Sequence, residues 1–241
     1  MTHWYEGPLA ALSLRATGPD AETDRLVTAA VVVQDLSGAR PRVLRWLVSP
    51  GVAMTEEEAG RHGLTRDQVE RTGRWPAPVM EEVGRALAGH AAAGRPLVVA
   101  QAPATLTLLD RELRRHRASS LGAYLAGAPL SVLDPRVLDG HLDRYRKGSR
   151  ELDALCARYG VSPAPPHDPA DGARATIEVT RALARVFAPR LQRLTPSELH
   201  ALQEDWYAGQ VRGRPGRGVR ERAPERVDTA WPLRPQAAAT V

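Results

Sequence analysis

The stretch Ala11-Leu12-Ser13-Leu14-Arg15-Ala16-Thr17-Gly18-Pro19-Asp20-Ala21-Glu22-Thr23-Asp24-Arg25-Leu26-Val27 decides the fold. It opens inside an apolar run, Leu9 to Leu14, that reads as a short strand. Gly18, Pro19 and Asp20 then supply a turn: glycine frees φ, proline fixes it, and aspartate bonds to its own backbone. The run from Asp24 to Asp35 is rich in β-branched residues and reads as a longer, buried strand. A third strand, Val43 to Val48, follows the turn signal Ser37-Gly38. Connections this short permit only an antiparallel meander.

Downstream the pattern changes to alternating helix and strand. Helices are expected over Thr55 to His62 and Pro78 to Ala93, and the apolar run Pro96 to Ala100 reads as a strand. The next helix, Leu106 to Arg117, carries leucines at 106, 109 and 113 on one face. A fifth strand, Leu130 to Leu133, precedes helices over Arg136 to Tyr145, Ser149 to Tyr159 and Ala173 to Val186, with a last one over Pro196 to Ala208. The expected architecture is α/β, a mixed five-stranded sheet whose first three strands are antiparallel, with helices on both faces.

The chain has 241 residues, 43% of them hydrophobic, enough for one domain with a substantial core. Residues 1–208 are expected to form that domain and 209–241 a flexible tail. The tail is basic: Arg212, Arg214, Arg217, Arg220, Arg222 and Arg226 stand against Glu221 and Glu225, with Gly213, Pro215, Gly216 and Gly218 interleaved. Such an arm either touches phosphates, adding salt-sensitive affinity independent of sequence, or is a solvated linker. The single Cys156 sits in an apolar helical stretch and reads as a buried structural thiol. The chain has no long apolar run and a polar N-terminus, so the expectation is a soluble, cytoplasmic protein without a membrane span.

Three neighbourhoods carry a resemblance. Ala11 to Gly18 is similar to the pattern F-D-x-E-T-T-G, and Gly18 to Val27 to its continuation G-x-D-P-E-T-D-R-I-V. Val98 to Leu113 is similar to V-x-x-N-A-P-x-D-L-x-x-L. Leu152 to Gly160 followed by His167 to Thr176 is similar to L-x-x-L-x-x-x-x-G and then H-x-x-x-x-D-A-x-x-T. These are the motifs of the DEDDh 3′–5′ exonucleases of actinobacterial type, the family of the proofreading epsilon subunit of bacterial DNA polymerase III. The resemblance implies an RNase H-like fold over Trp4 to about Trp206. It also implies four carboxylates holding two divalent ions, Mg²⁺ or Mn²⁺, and a histidine that deprotonates the attacking water.

This sequence keeps the histidine, His167, and departs at all four acids, where the ungapped alignment places Ser13, Arg15, Thr105 and Gly172; Gln101 stands at the motif's asparagine. A one-residue gap would instead bring Asp171 to the last position. Hydroxyls are weak neutral ligands for hard cations, and Arg15 repels them. At about 4 Å and an effective dielectric near 20, a guanidinium opposes a divalent ion by about 8 kcal/mol. Arg15 either takes the metal's place and pairs with a phosphate, or extends from a strand end without functional contact. The expectation is a pseudo-exonuclease without two-metal catalysis and without a cofactor, able to bind single-stranded nucleic acid or 3′ ends, or a protein partner. One alternative is an active exonuclease using displaced ligands such as Asp20, Asp110, Asp168 or Asp171. Another is a scaffold that binds no nucleic acid. Glu58 to Thr65 is similar to E-A-x-x-x-H-G-I-T, which makes His62 and Leu64 candidate base contacts and Thr17 a candidate donor to sugar or phosphate. The same residues serve equally to fix a turn and cap a helix at Thr65.

Overall fold

In the computed structural model the described residues are 3–35, 40–60, 62–165, 167–213 and 228–236. The strands are β1 (Leu9–Ala16), β2 (Leu26–Gln34), β3 (Arg42–Leu47), β4 (Leu97–Val98) and β5 (Val132–Leu133). Helices α1 (Glu56–Gly60), α2 (Arg66–Thr72) and α3 (Pro76–Ala92) lie between β3 and β4, and α4 (Ala102–Arg117) and α5 (Leu121–Leu125) between β4 and β5. After β5 come α6 (Pro135–Leu142), α7 (Leu152–Tyr159), α8 (Pro169–Val186), α9 (Ala188–Leu191) and α10 (Pro196–Arg212). The sheet order is β3-β2-β1-β4-β5; β1–β2 and β2–β3 are antiparallel, β1–β4 and β4–β5 parallel. This is the expected mixed sheet with an antiparallel first half.

Strand alternation divides the core. Ala10 and Leu12 of β1 pack with Met80, Val83 and Leu87 of α3 and Leu106 and Leu109 of α4. Leu9 and Ala11 point the other way, onto Ala170, Ala173 and Ile177 of α8. Each such leucine is fully buried and contributes about 1.5–3 kcal/mol. Continuing the alternation puts Ser13 and Arg15 on the α8 face. Buried Arg181 of α8 locks this layer: it donates to the carbonyls of Tyr5 (2.9 Å), Gly7 (2.9 Å) and Gln34 (2.8 Å), at the start of β1 and the end of β2.

The turn between β1 and β2 closes on Asp24, whose carboxylate accepts from Thr17 Oγ1 (2.9 Å) and the Asp20 amide (2.7 Å). A Cβ on Gly18 would come within 2.5–2.8 Å of that carboxylate, so the close approach requires glycine.

Several boundaries differ from expectation. The helix expected over Thr55 to His62 stops at Gly60, and a separate α2 follows, N-capped by Thr65 in a capping box with Gln68. α4 begins at Ala102 because Pro103 fits a helix's first turn, and α8 begins at Pro169 for the same reason, with Asp168 as N-cap. The tail expected from 209 is in part folded. α10 continues to Arg212, where Gln210 Nε2 donates to the Val137 carbonyl at 2.9 Å. Residues 228–236 return to the core: Trp231 is buried, the Arg234 amide donates to Thr107 Oγ1 (3.0 Å), and Arg111 donates to the Pro235 carbonyl (2.7 Å). Residues 214–227 of the basic arm, including Arg214 and Arg217, lie outside the described residues. Among the described residues no helix is long and apolar enough to cross a membrane, and Cys156 is buried as a free thiol.

Candidate functional site

The sheet order reverses direction between β1 and β4: from β1 the chain winds outward to β2 and β3, and from β4 outward to β5. The carboxyl ends of the two parallel strands therefore diverge into loops that leave a crevice, the usual ligand position in an open α/β sheet. A cleft of about 690 Å³ opens there. Its wall includes Ser13 and Arg15 from β1, Gln101 and Thr105 from the start of α4, Asp153 from α7 and Gly172 from α8.

Ser13, Arg15, Thr105 and Gly172, the residues at the four acid positions of the resemblance, thus meet in one cleft. Gly172 faces Ser13 closely enough that a Cβ on the glycine would stand 3.3 Å from Ser13 Oγ. Asp171 turns elsewhere, its carboxylate paired with Arg174 one helical turn on. Thr105 Oγ1 donates to the Ala100 carbonyl at 3.1 Å. Gln101 adopts left-handed backbone geometry, φ 57° and ψ 48°, at the N-cap of α4. That conformation suits asparagine better than glutamine. Its side chain donates to Glu151 (2.8 Å), which is also paired with Arg136 (3.0 Å). Asp153 is the one carboxylate among the described lining residues. Sequence reasoning passed over it because an acid in a helix's first turn is ordinary.

The remaining candidate residues lie outside the cleft wall. His167, at φ 92°, is exposed, and its ring lies against Gly63; a side chain at Gly63 would overlap it. Asp168 caps α8 by accepting from the Ala170 amide (2.8 Å) and forms a two-pronged pair with Arg45 of β3 (2.8 and 3.2 Å). The Arg45 guanidinium holds the Asp168 carboxyl below the usual carboxylate range. Asp20 accepts from the Glu22 amide within its turn (2.9 Å). Asp110 is buried and accepts from the Leu121 amide (2.9 Å), Arg114 (2.6 Å) and Arg111 (3.1 Å). No group of three or more His, Cys, Asp or Glu that could hold a metal ion exists among the described residues.

The base-contact candidates also find structural partners. His62 is buried, and Leu64 packs beside Val27, Met54, Ala59 and Val69. Thr17 spends its hydroxyl within the turn, donating to Asp24 and accepting from the Arg25 amide (3.1 Å). A nook of about 200 Å³, walled in part by Leu14, Ala16, Pro19 and Leu108, shares Gln101 and Thr105 with the cleft. Arg212 is exposed at the end of α10, its Nε donating to the Ala208 carbonyl (3.1 Å).

No protein-family model matches the sequence, and no curated protein matches it. Solved structures do share the fold. Exonuclease I from Methylocaldum szegediense superposes with a TM-score of 0.61 at 21% identity over 77% of this chain. E. coli Exonuclease I in complex with a dA16 oligonucleotide gives 0.61 at 14% identity, again over 77%. In both cases the match covers 42% of the larger protein, so the chain spans well under half the length of these relatives. A 3′-exonuclease whose structure concerns 3′-end recognition of a histone mRNA stem-loop gives 0.57 at 14% identity, over 78% of this chain and 84% of that one. The RNase H-like exonuclease fold is therefore the fold of this chain.

Proposed function

We propose that the chain binds the 3′ end of single-stranded nucleic acid in the cleft at the ends of β1 and β4, without two-metal hydrolysis. The observation that carries this reading is the convergence of Ser13, Arg15, Thr105 and Gly172 in one cleft. The relatives with this fold include proteins solved with single-stranded DNA or concerned with an RNA 3′ end. Their chemistry implies divalent metal, and the donor set here does not fit one. Two neutral hydroxyls, a glycine and a guanidinium supply no anionic ligand, and Asp153 alone supplies one carboxylate where hard cations draw their affinity from several. Arg15 and the hydroxyls suit the opposite charge. A guanidinium at a strand end, flanked by Ser13 and Thr105, offers charge-assisted hydrogen bonds to a phosphate.

The displaced-ligand alternative finds no support in the placement of its acids. Asp168 pairs with Arg45, Asp171 with Arg174, Asp110 is spent inside α4, and Asp20 is spent in its turn.

The test is release of a 3′-labelled nucleotide from single-stranded DNA and RNA with Mg²⁺ or Mn²⁺, beside a variant carrying Ser13→Asp, Arg15→Glu, Thr105→Asp and Gly172→Asp. Binding of both oligonucleotides is measured in parallel in chelator. The expected result is binding without cleavage for the natural protein and a gain of cleavage in the variant. Chelator-sensitive cleavage by the natural protein would overturn the metal-free reading, and absence of binding even at low salt would overturn the nucleic-acid reading.

A further inference from the structure

Outside the cleft, two further depressions follow each other along α6 and α10. The first, about 170 Å³, shares Gln101 with the cleft and is walled by Arg136, Arg150, Gln210 and Arg234. The second, about 510 Å³, shares Arg150 and Gln210 with the first and is walled by His141, Arg144 and Trp206. Shared wall residues thus lead from the cleft through Gln101 to Arg150 and Arg144, in the connector between α6 and α7.

That connector, Arg144-Tyr145-Arg146-Lys147-Gly148-Ser149-Arg150, is basic and carries an aromatic ring. Tyr145 is 89% exposed. The Arg144 guanidinium lies 5.8 Å from its ring centre. Neither Arg144 nor Lys147 forms an ion pair among the described residues, whereas Arg146 and Arg150 are anchored on buried Asp139. The connector therefore has a fixed base and a free outer edge of two cations and one ring. His141 and Trp206 stack in parallel at 3.9 Å in the adjoining wall.

We propose that this surface is a second segment of the same single-strand site, holding nucleotides beyond those in the cleft. Arg144 and Lys147 contact phosphates, and Tyr145 offers its face to a base. This rests on the reading of the cleft as the 3′-end site. Cations beside an exposed ring match a polymer in which phosphates and bases alternate, and stacking tolerates any base because each has a π-face.

The experiment compares oligonucleotides of about 4 and about 16 nucleotides on the full chain, natural and carrying Arg144→Ala with Tyr145→Ala. Tyr145→Trp serves as the conservative variant, and Arg15→Ala as a probe of the cleft. Both substituted connector residues are exposed, so the fold should survive, and circular dichroism checks that. The natural protein should bind the long strand more tightly. The double variant should lose about 5- to 100-fold of affinity for the long strand and none for the short one. Tyr145→Trp should keep the gain, and the dependence of long-strand affinity on salt should flatten by about 0.7 in log–log slope for each phosphate contact removed. A length-dependent gain that survives the double variant overturns this proposal while leaving the cleft reading intact. Failure of the short strand to bind, or its indifference to Arg15→Ala, counts instead against the cleft.

Discussion

Replacing Asp139 with asparagine should loosen the whole α6–α7 corner. The Asp139 carboxylate is fully buried, accepts from Arg146 at 2.8 Å and Arg150 at 2.7 Å through one oxygen, and from the Tyr159 hydroxyl at 2.6 Å through the other. Burial and the adjacent carboxylate push the Tyr159 phenol above its ordinary range, so it stays a donor. Asparagine keeps the shape and one acceptor oxygen but leaves two largely buried guanidinium ions facing a neutral partner. Breaking a buried pair this way costs about 3–5 kcal/mol, and the retained amide oxygen places this case near the lower end, about 3 kcal/mol. For a chain of this size that is about 6–12 °C in Tm. Asp143→Asn is the matched control: its partly exposed carboxylate pairs with Arg158 at 3.2 Å, and its loss should cost less than about 1 kcal/mol. Urea unfolding followed by circular dichroism reads both. Equal losses in the two variants, or an Asp139→Asn loss below about 1 kcal/mol, would refute the claim that a buried carboxylate fixes the connector.

Two further outcomes follow from buried charges. Arg181→Met leaves the carbonyls of Tyr5, Gly7 and Gln34 without their donor and should cost about 3–5 kcal/mol in urea unfolding, part of the lost bonding being offset because burial already disfavours the ion; a loss under 1 kcal/mol would mean these carbonyls find other partners. Asp134 accepts from the Ala102 and Arg136 amides (both 2.8 Å), yet burial outweighs these bonds and pushes its carboxyl up from 3.8 to about 6. A raised folded-state value means the protonated acid favours the fold: the contribution is fully present below pH 3.8 and is lost as pH rises through about 6, a change of about 3 kcal/mol. Between pH 4 and pH 7 the stability gap between the natural protein and Asp134→Asn should therefore shift by about that amount in favour of asparagine, and a gap independent of pH would sink the assignment.

The strands of the first half were legible because β2 is apolar on both faces and its turn to β1 carries glycine, proline and aspartate at once. The helices that escaped notice share a cause. α5 and α9 each bury a single apolar residue, Leu121 and Leu191, and one residue has no period to read. For α2 a sequence signal did exist, the spacing Thr65 to Gln68 of a capping box. The return of residues 228–236 to the core depends on Arg111 inside α4 reaching backbone carbonyls of the Arg234–Pro235 segment, a contact that no sequence spacing shows.

In the site, spacing proposes which residues match the motif positions, and the three-dimensional fold decides which of them face each other. Ser13 and Gly172, 159 positions apart, meet because strand alternation and the first turn of α8 bring them to the same face. Leu64 went the other way, into the apolar cluster of Val27, Met54, Ala59 and Val69, and His62 is buried. Asp168 was readable as an N-cap from the Asp-Pro step, and that role withdraws it from metal binding. The scaffold and the charge of its cleft are therefore separable properties. The apolar layers around β1 fix where the cleft opens, while Ser13, Arg15, Thr105 and Gly172 line it and lie outside those layers. On the proposed reading, a cleft that carries a cation in place of carboxylates favours a singly charged phosphate by about half the Coulomb energy with which it disfavours a divalent ion. Metal-dependent turnover and metal-independent retention of an end thus oppose each other at this site, and chelator should separate them: it stops a two-metal enzyme and leaves an arginine-held phosphate in place.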